Sequence, residues 1–167
     1  MPTNLEIKAS VFSLDGVKNI AIDINATHLI TLYQTDTYFN TNKGRLKLRE
    51  NNENEAQLIY YEREENSSPR WSNYKIYNVQ DFPLLKELLM KAYGVKVVVK
   101  KERDVFIFKN ARIHVDKVEN VGNFIEFEVI YDSEVTKSLE LLEFLKSSFK
   151  AEINRVFLES YSDILLK

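Results

Sequence analysis

Several short segments of this 167-residue chain place ionisable residues at every second position. Asn4, Glu6 and Lys8 alternate with Leu5, Ile7 and Ala9, and Arg45, Lys47 and Arg49 alternate with Leu46 and Leu48. Lys101 and Arg103 continue a series begun by Val97 and Val99, Arg63 follows Gln57, Ile59 and Tyr61, and Lys75 stands in the next apolar segment. Arg112, His114 and Asp116 alternate in turn, and Glu126 and Glu128 flank Phe127. A strand sends successive side chains to opposite faces, so each of these sets shares one face. Three cations in a row repel one another unless an anion lies between them and cations from other strands. Gathered on one concave surface, the cations suit phosphate oxygens and the carboxylates suit a hard divalent ion. Mg²⁺ and Mn²⁺ bind through a few carboxylates plus the phosphates of a substrate. A solvated sheet face produces the same alternation, so the pattern by itself leaves both readings open.

The elements that must position these residues are mainly antiparallel strands. Only four glycines and three prolines occur, and turn signals separate short alternating segments. Three helical patterns lie among them. The first sets Val17, Ile20, Ala21 and Ile24 behind Asp15 as an N-cap. The second is capped by Asp81, has Pro83 in its first turn and an apolar stripe of Leu85, Leu88, Leu89 and Ala92, and stops at Gly94. The third runs from about Ser133 to Phe149 with Leu141, Leu142, Leu145 and Phe149 as packing material. The polar segments Asn51 to Asn54 and Glu64 to Arg70 read as hairpin loops. There is no internal repeat, and the expectation is one domain over residues 1–167.

Composition narrows the function classes. Lysine and arginine total 23 against 25 acidic residues, so no global charge draws the chain to nucleic acid or to a membrane surface. The absence of cysteine excludes disulfides and thiolate metal sites. The opening Met1-Pro2-Thr3-Asn4 lacks the regions of a signal peptide, and no apolar run approaches the roughly 20 residues of a membrane span. A soluble, cytoplasmic protein is expected, and a homodimer is compatible with the sequence.

The order of segments resembles the CYTH family, named for CyaB and thiamine triphosphatase, and within it the CyaB-like class IV adenylyl cyclase branch. Asn4-Leu5-Glu6-Ile7-Lys8-Ala9 resembles the E-x-E-x-K signature. Gln34-Thr35-Asp36-Thr37-Tyr38-Phe39 and Gly44-Arg45-Leu46-Lys47-Leu48-Arg49 resemble the family's second and third strands. Leu58 to Arg63, Lys101-Glu102-Arg103, Ile113 to Val118 and Gly122 to Glu128 follow in the family's order, and Ser160 to Leu165 closes the chain as that branch does. The resemblance implies an α+β fold, mainly antiparallel β: an eight-stranded closed tunnel with flanking helices, holding a triphosphate and divalent metal. By position it implies Glu6, Glu126 and Glu128 as metal ligands. It implies Lys8, Arg45, Lys47, Arg49, Arg63, Lys75, Lys101, Arg103 and Arg112 as cations lining the tunnel, with Lys8 a candidate general base. Asp116 would orient an arginine or activate a nucleophile. The implied cofactor is Mg²⁺ or Mn²⁺, and the implied partner is ATP, tripolyphosphate or thiamine triphosphate.

One position departs from the signature. Asn4 replaces the first glutamate by a neutral amide that can ligate only through its carbonyl oxygen. This lowers the expected metal affinity and puts a second metal in doubt; the branch resembled makes a cyclase forming cyclic AMP and pyrophosphate the first reading and a triphosphatase the second, and Asn4 keeps a binding module of weakened catalysis as the third. His114 reads as structural and Trp71, beside Pro69 and Arg70, as a loop anchor. Tyr60, Tyr61, Tyr74 and Tyr77 read as wall packing.

Overall fold

The computed structural model describes residues 3–52, 54–63 and 68–167. Along the chain the order is β1 (Thr3–Val11), α1 (Leu14–Asp23), β2 (Thr27–Phe39), β3 (Arg45–Glu50), β4 (Ala56–Arg63), β5 (Arg70–Val79), α2 (Phe82–Tyr93), β6 (Val95–Phe108), β7 (Ala111–Val118), β8 (Gly122–Ile130), α3 (Val135–Ser148), β9 (Ile153–Phe157) and α4 (Tyr161–Leu165). The strands join in the order β5-β4-β3-β2-β6-β7-β8-β1, and a β1–β5 pairing closes them into a ring of eight antiparallel strands. Closure is confined to one end. Thr3 to Glu6 pair with β5, whereas Lys8 to Val11 pair along the same edge with β9, a ninth strand outside the ring that the sequence did not announce. Glu53 and residues 64–67, within the two segments read as hairpin loops, fall outside the described residues; β3 pairs with β4 and β4 with β5, both antiparallel.

Because the ring is covered on its outer side, both faces of many strands are buried. On β1, Leu5, Ile7 and Ala9 point outward into an apolar cluster while Asn4, Glu6 and Lys8 point inward, and all six are at most 8% exposed. The outer cluster is completed by Val17 and Ala21 of α1 and by Leu141, Leu142, Leu145 and Phe149 at α3. Phe149 meets Phe127 of β8 with ring centroids 5.2 Å apart. Each such fully buried side chain contributes about 1.5–3 kcal/mol by leaving water. Phe127→Ala would remove about 3–5 kcal/mol through the cavity left behind.

Local chemistry sets the helix ends. The N-cap of α1 is Ser13, whose hydroxyl accepts from the Gly16 amide at 3.0 Å, and Asp15 lies one step inside, in the first turn. This corrects the expected Asp15 cap. The second helix begins after Asp81 with Pro83 in its opening turn and ends at Gly94, whose φ of 74° suits glycine. Its packing face is Phe82, Leu85 and Leu89 against Phe39, Leu48 and Ala56, so Leu88 and Ala92 are on the solvent side, contrary to the stripe expected from spacing. The short α4 is fastened by a capping box in which Ser160 and Asp163 satisfy each other's backbone amides. No helix among the described residues is long and apolar enough to cross a membrane.

Candidate functional site

The inward faces enclose a cavity of about 410 Å³. One end is filled by Tyr38, Tyr61, Val99, Val118 and Phe124 around Tyr161 of α4. The other is rimmed by half-buried or exposed Leu32, Asn51, Gln57, Ile76 and Arg112. Between the ends, charge divides into two walls.

The cation wall is built on β2, β3 and β6. Arg49 and Asp36 face each other across the β2–β3 ladder, and Arg49 Nε and Nη2 donate to the two Asp36 oxygens at 2.7 Å each. Lys47 Nζ and Lys101 Nζ reach Asp36 Oδ2 at 2.9 and 3.3 Å. Burial by itself would raise the Asp36 carboxyl, but Arg49, Lys101 and Lys47 hold it well below the ordinary carboxylate range. Lys101 moves the other way. Burial pushes its ammonium well below the usual lysine value, Asp36 opposes that, and Arg49, Arg103 and Lys47 add to it. Arg103 makes a second fork, donating Nε and Nη2 to Asp116 at 2.7 and 2.6 Å, while Tyr161 donates its hydroxyl to the same carboxylate at 2.7 Å. Asp116 is fully buried and bound on both oxygens, so it orients Arg103.

The carboxylate wall is built on β1 and β8, with β7 beside them. Register sets Glu6 opposite Glu128, and Lys8 and His114 each opposite Glu126. Glu126 lies 3.5 Å from Lys8 Nζ, 3.2 Å from His114 Nδ1 and 3.6 Å from Arg103 Nη2. Burial would raise it, but Lys8, His114 and Arg103 keep it well below the ordinary range. Glu128 accepts from Asn4 Nδ2 at 2.9 Å and from Arg112. Glu6 has no cation of its own among the described residues. Ser72 donates to it at 3.0 Å and the Tyr74 hydroxyl also donates, yet burial, with Glu126 and Glu128 nearby, pushes its carboxyl up to about 7. Burial and Arg103 lower His114, which favours the neutral imidazole.

These donors suit a hard divalent cation. One ligand atom each from His114, Glu126 and Glu128 fall within 4.8 Å of one another. Glu6 faces the same space, its carboxyl raised first by burial and then by Glu126 and Glu128, both of which a bound cation would offset. The Asn4 side-chain carbonyl oxygen is buried and has no hydrogen-bond partner among the described residues, a neutral acceptor where the signature has a carboxylate.

The structure brings Glu6, Lys8, Lys47, Arg49, Lys101, Arg103, Arg112, Glu126 and Glu128 to the cavity. Arg45 is directed elsewhere: it forks onto Asp163 at 3.0 Å and donates to Ser160 at 2.8 Å, fastening α4. Lys75 is exposed on the outer surface, because the inward residues of β5 are Ser72, Tyr74 and Ile76. The expected lining role of Lys75 is thus corrected by the register of β5 against β4. Arg63 closes β4 opposite Ser72, and its side chain lies outside the described residues. Sequence reasoning passed over Asp36, Tyr161 and the amides of Gln34, Asn51 and Gln57, and it left Tyr61, Tyr74 and His114 without a role in the cavity. The ring of Tyr161 lies 3.9 Å from Lys8 Nζ, close enough to hold the ammonium by cation–π attraction.

Comparison with known proteins agrees with this geometry. The model of the CYTH domain matches residues 3–157. A solved protein of Pyrococcus horikoshii superposes with a TM-score of 0.85 at 20% identity, covering 96% of this chain and 98% of the other. One of Vibrio parahaemolyticus, provisionally named an adenylate cyclase, has a TM-score of 0.79 at 22% identity over 98% of both chains. A Hippeastrum protein, provisionally named an adenylyl cyclase and described as having a dominant triphosphatase activity, has a TM-score of 0.66 at 16% identity, covering 99% of this chain and 94% of that one. No curated protein matches the chain in sequence.

Proposed function

The chain belongs to the CYTH domain family, and from that premise we propose that it is a metal-dependent enzyme acting on a triphosphate held between the two walls. The observation that carries this reading is the pairing of the two sets: Lys47, Arg49 and Lys101 line one cavity together with Glu6, Glu126 and Glu128, and Arg103 stands where they meet, 3.6 Å from Glu126. Phosphoryl chemistry asks for positioning and charge stabilisation rather than covalent help from the protein, and this cavity supplies both.

In this reading the four cations bind phosphate oxygens. Asp36 and Asp116 aim the guanidinium groups by their forked bonds, so little reorganisation is needed when substrate arrives. Glu126 and Glu128, with Glu6, the Asn4 carbonyl oxygen and His114, would hold Mg²⁺ or Mn²⁺, which when bound neutralises charge on the phosphates. Lys8, between Glu126 and the Tyr161 face, is placed to add positive charge next to that site.

The product we assign first is cyclic AMP. The ribose 3′-oxygen bonds to the α-phosphorus, the bond from that phosphorus to its bridging oxygen breaks, pyrophosphate leaves, and the hydroxyl proton passes to base or solvent. Hydrolysis is the second reading, favoured by the triphosphatase activity described for the Hippeastrum protein of the same fold. There water attacks the γ-phosphorus and orthophosphate leaves. The test is to incubate the protein with ATP, tripolyphosphate and thiamine triphosphate, each with Mg²⁺ and with Mn²⁺, and to identify products. Cyclic AMP with pyrophosphate is expected, and orthophosphate instead selects the second reading. Tight binding without turnover under every condition would overturn the enzymatic reading and leave a binding module.

A further inference from the structure

Among the polar groups of the cavity that neither wall uses, Gln34 is the buried one with an unmet acceptor. Gln34 of β2 lines the cavity and is 5% exposed, and its Nε2 donates to Asn51 Oδ1 at 3.1 Å. Its Oε1 is left buried with no hydrogen-bond partner among the described residues. A buried acceptor without a donor is costly to keep, and one directed into a binding cavity is explained when a ligand supplies the donor.

Position says which part of a ligand that would be. Gln34 pairs with Lys101 across the β2–β6 ladder and lies one inward step from Asp36, so it adjoins the cation wall. It lies on the side of that wall away from the end filled by Tyr161, Val99, Val118 and Phe124. Toward the opening the rim carries Leu32, Ile76, Asn51 and Gln57, two apolar side chains and two amides, and its charged member, Arg112, is paired with Glu128. A lining of that composition is poor in charge for phosphate but suited to a flat, partly apolar group bearing a few donors and acceptors. With the phosphates on Lys47, Arg49, Lys101 and Arg103, the far end of the filled tunnel leaves only this side for the remainder of the molecule.

We infer that Gln34 is a specificity-determining residue whose Oε1 accepts a hydrogen bond from the nucleoside portion of a nucleoside triphosphate. The inference rests on the proposed function and adds to it the residue that reads the part of the substrate beyond its phosphates. A ribose hydroxyl and the exocyclic amine of adenine are both donors of the required kind.

The test uses the full chain titrated without divalent metal, so that nothing is turned over, against ATP and inorganic tripolyphosphate. Gln34→Met keeps the side-chain volume and removes the acceptor. Its affinity for ATP should fall about tenfold, the cost of one hydrogen bond, while its affinity for tripolyphosphate stays within about twofold of wild type. In wild-type protein, a single one of ITP, 2′-deoxy-ATP and 3′-deoxy-ATP should lose the same factor, and that one identifies the donor. Equal losses for ATP and tripolyphosphate in Gln34→Met, or three analogues that all bind like ATP, would overturn the inference while leaving the proposed function standing. Failure of wild-type protein to bind either triphosphate, both without metal and with Ca²⁺ added as a divalent ion, would overturn both.

Discussion

The two walls of the tunnel carry opposite charge and settle it in different ways. On the cation wall, Asp36 sits under Lys47, Arg49 and Lys101, and Asp116 sits under Arg103. Those carboxylates are held below their ordinary range, so the wall is preassembled and its aim is fixed before any ligand arrives. On the carboxylate wall, Glu126 is matched by Lys8 and His114, but Glu6 has only hydroxyl donors among the described residues and is pushed up to about 7 by burial and by Glu126 and Glu128. One wall is finished by the protein itself; the other is left short of positive charge. In the function proposed above, that difference is the reason for placing phosphate on the first and metal on the second.

Removing a ligand from the unfinished wall should have the largest effect. Glu126→Gln keeps the shape but removes the carboxylate that Lys8 and His114 contact, and turnover should fall by about 10²-fold or more with the fold retained. Activity at the wild-type level would erase the distinction between the walls. Asp36→Asn attacks the finished wall through its keystone. Three buried cations lose their counter-charge, costing about 3 kcal/mol of stability by denaturant melts, and added tripolyphosphate should restore much of it by mass action. The same variant tests the pH dependence. Because the folded Asp36 carboxyl lies below its unfolded value of about 3.9, its stabilisation is present above that pH and lost as pH falls. Wild-type stability should therefore drop on acidification through that region, and the Asp36→Asn variant should show a shallower fall.

Arg49→Ala should weaken tripolyphosphate binding about tenfold by calorimetry, since Asp36 retains Lys47 and Lys101. The smallest effect belongs to Lys75→Ala, which should leave affinity within about twofold because that side chain is outside the ring. A loss equal to that of Arg49→Ala would mean the walls extend to β5 and the contrast is wrong.

Much of this arrangement could be read along the chain. Strict alternation on β1, β3 and β8 fixed the inward faces of Glu6, Lys8, Lys47, Arg49, Glu126 and Glu128, because an apolar residue stands between each pair. On β5 it could not, since Trp71 to Tyr77 mixes polar and apolar residues on both faces and only the ladder with β4 decides that Tyr74 faces in and Lys75 out. Asp36 was hidden for a different reason. Its partners are 11, 13 and 65 residues away, and a lone carboxylate in Gln34 to Phe39 acquires its role only when β2 is placed between β3 and β6. Tyr161 and Arg45 escaped likewise: nothing local says that a five-residue helix near the end of the chain folds back to fill the tunnel, fastened by an arginine more than a hundred residues earlier.

The assignment of one wall to metal and the other to phosphate is tested most directly by anomalous diffraction from crystals soaked with Mn²⁺ and a non-hydrolysable triphosphate. The account predicts a manganese peak among Glu6, Glu126 and Glu128, with phosphate oxygens within hydrogen-bonding distance of Arg49, Lys101 and Arg103. Manganese on the Asp36 side of the cavity, or phosphates bound outside the ring, would contradict it.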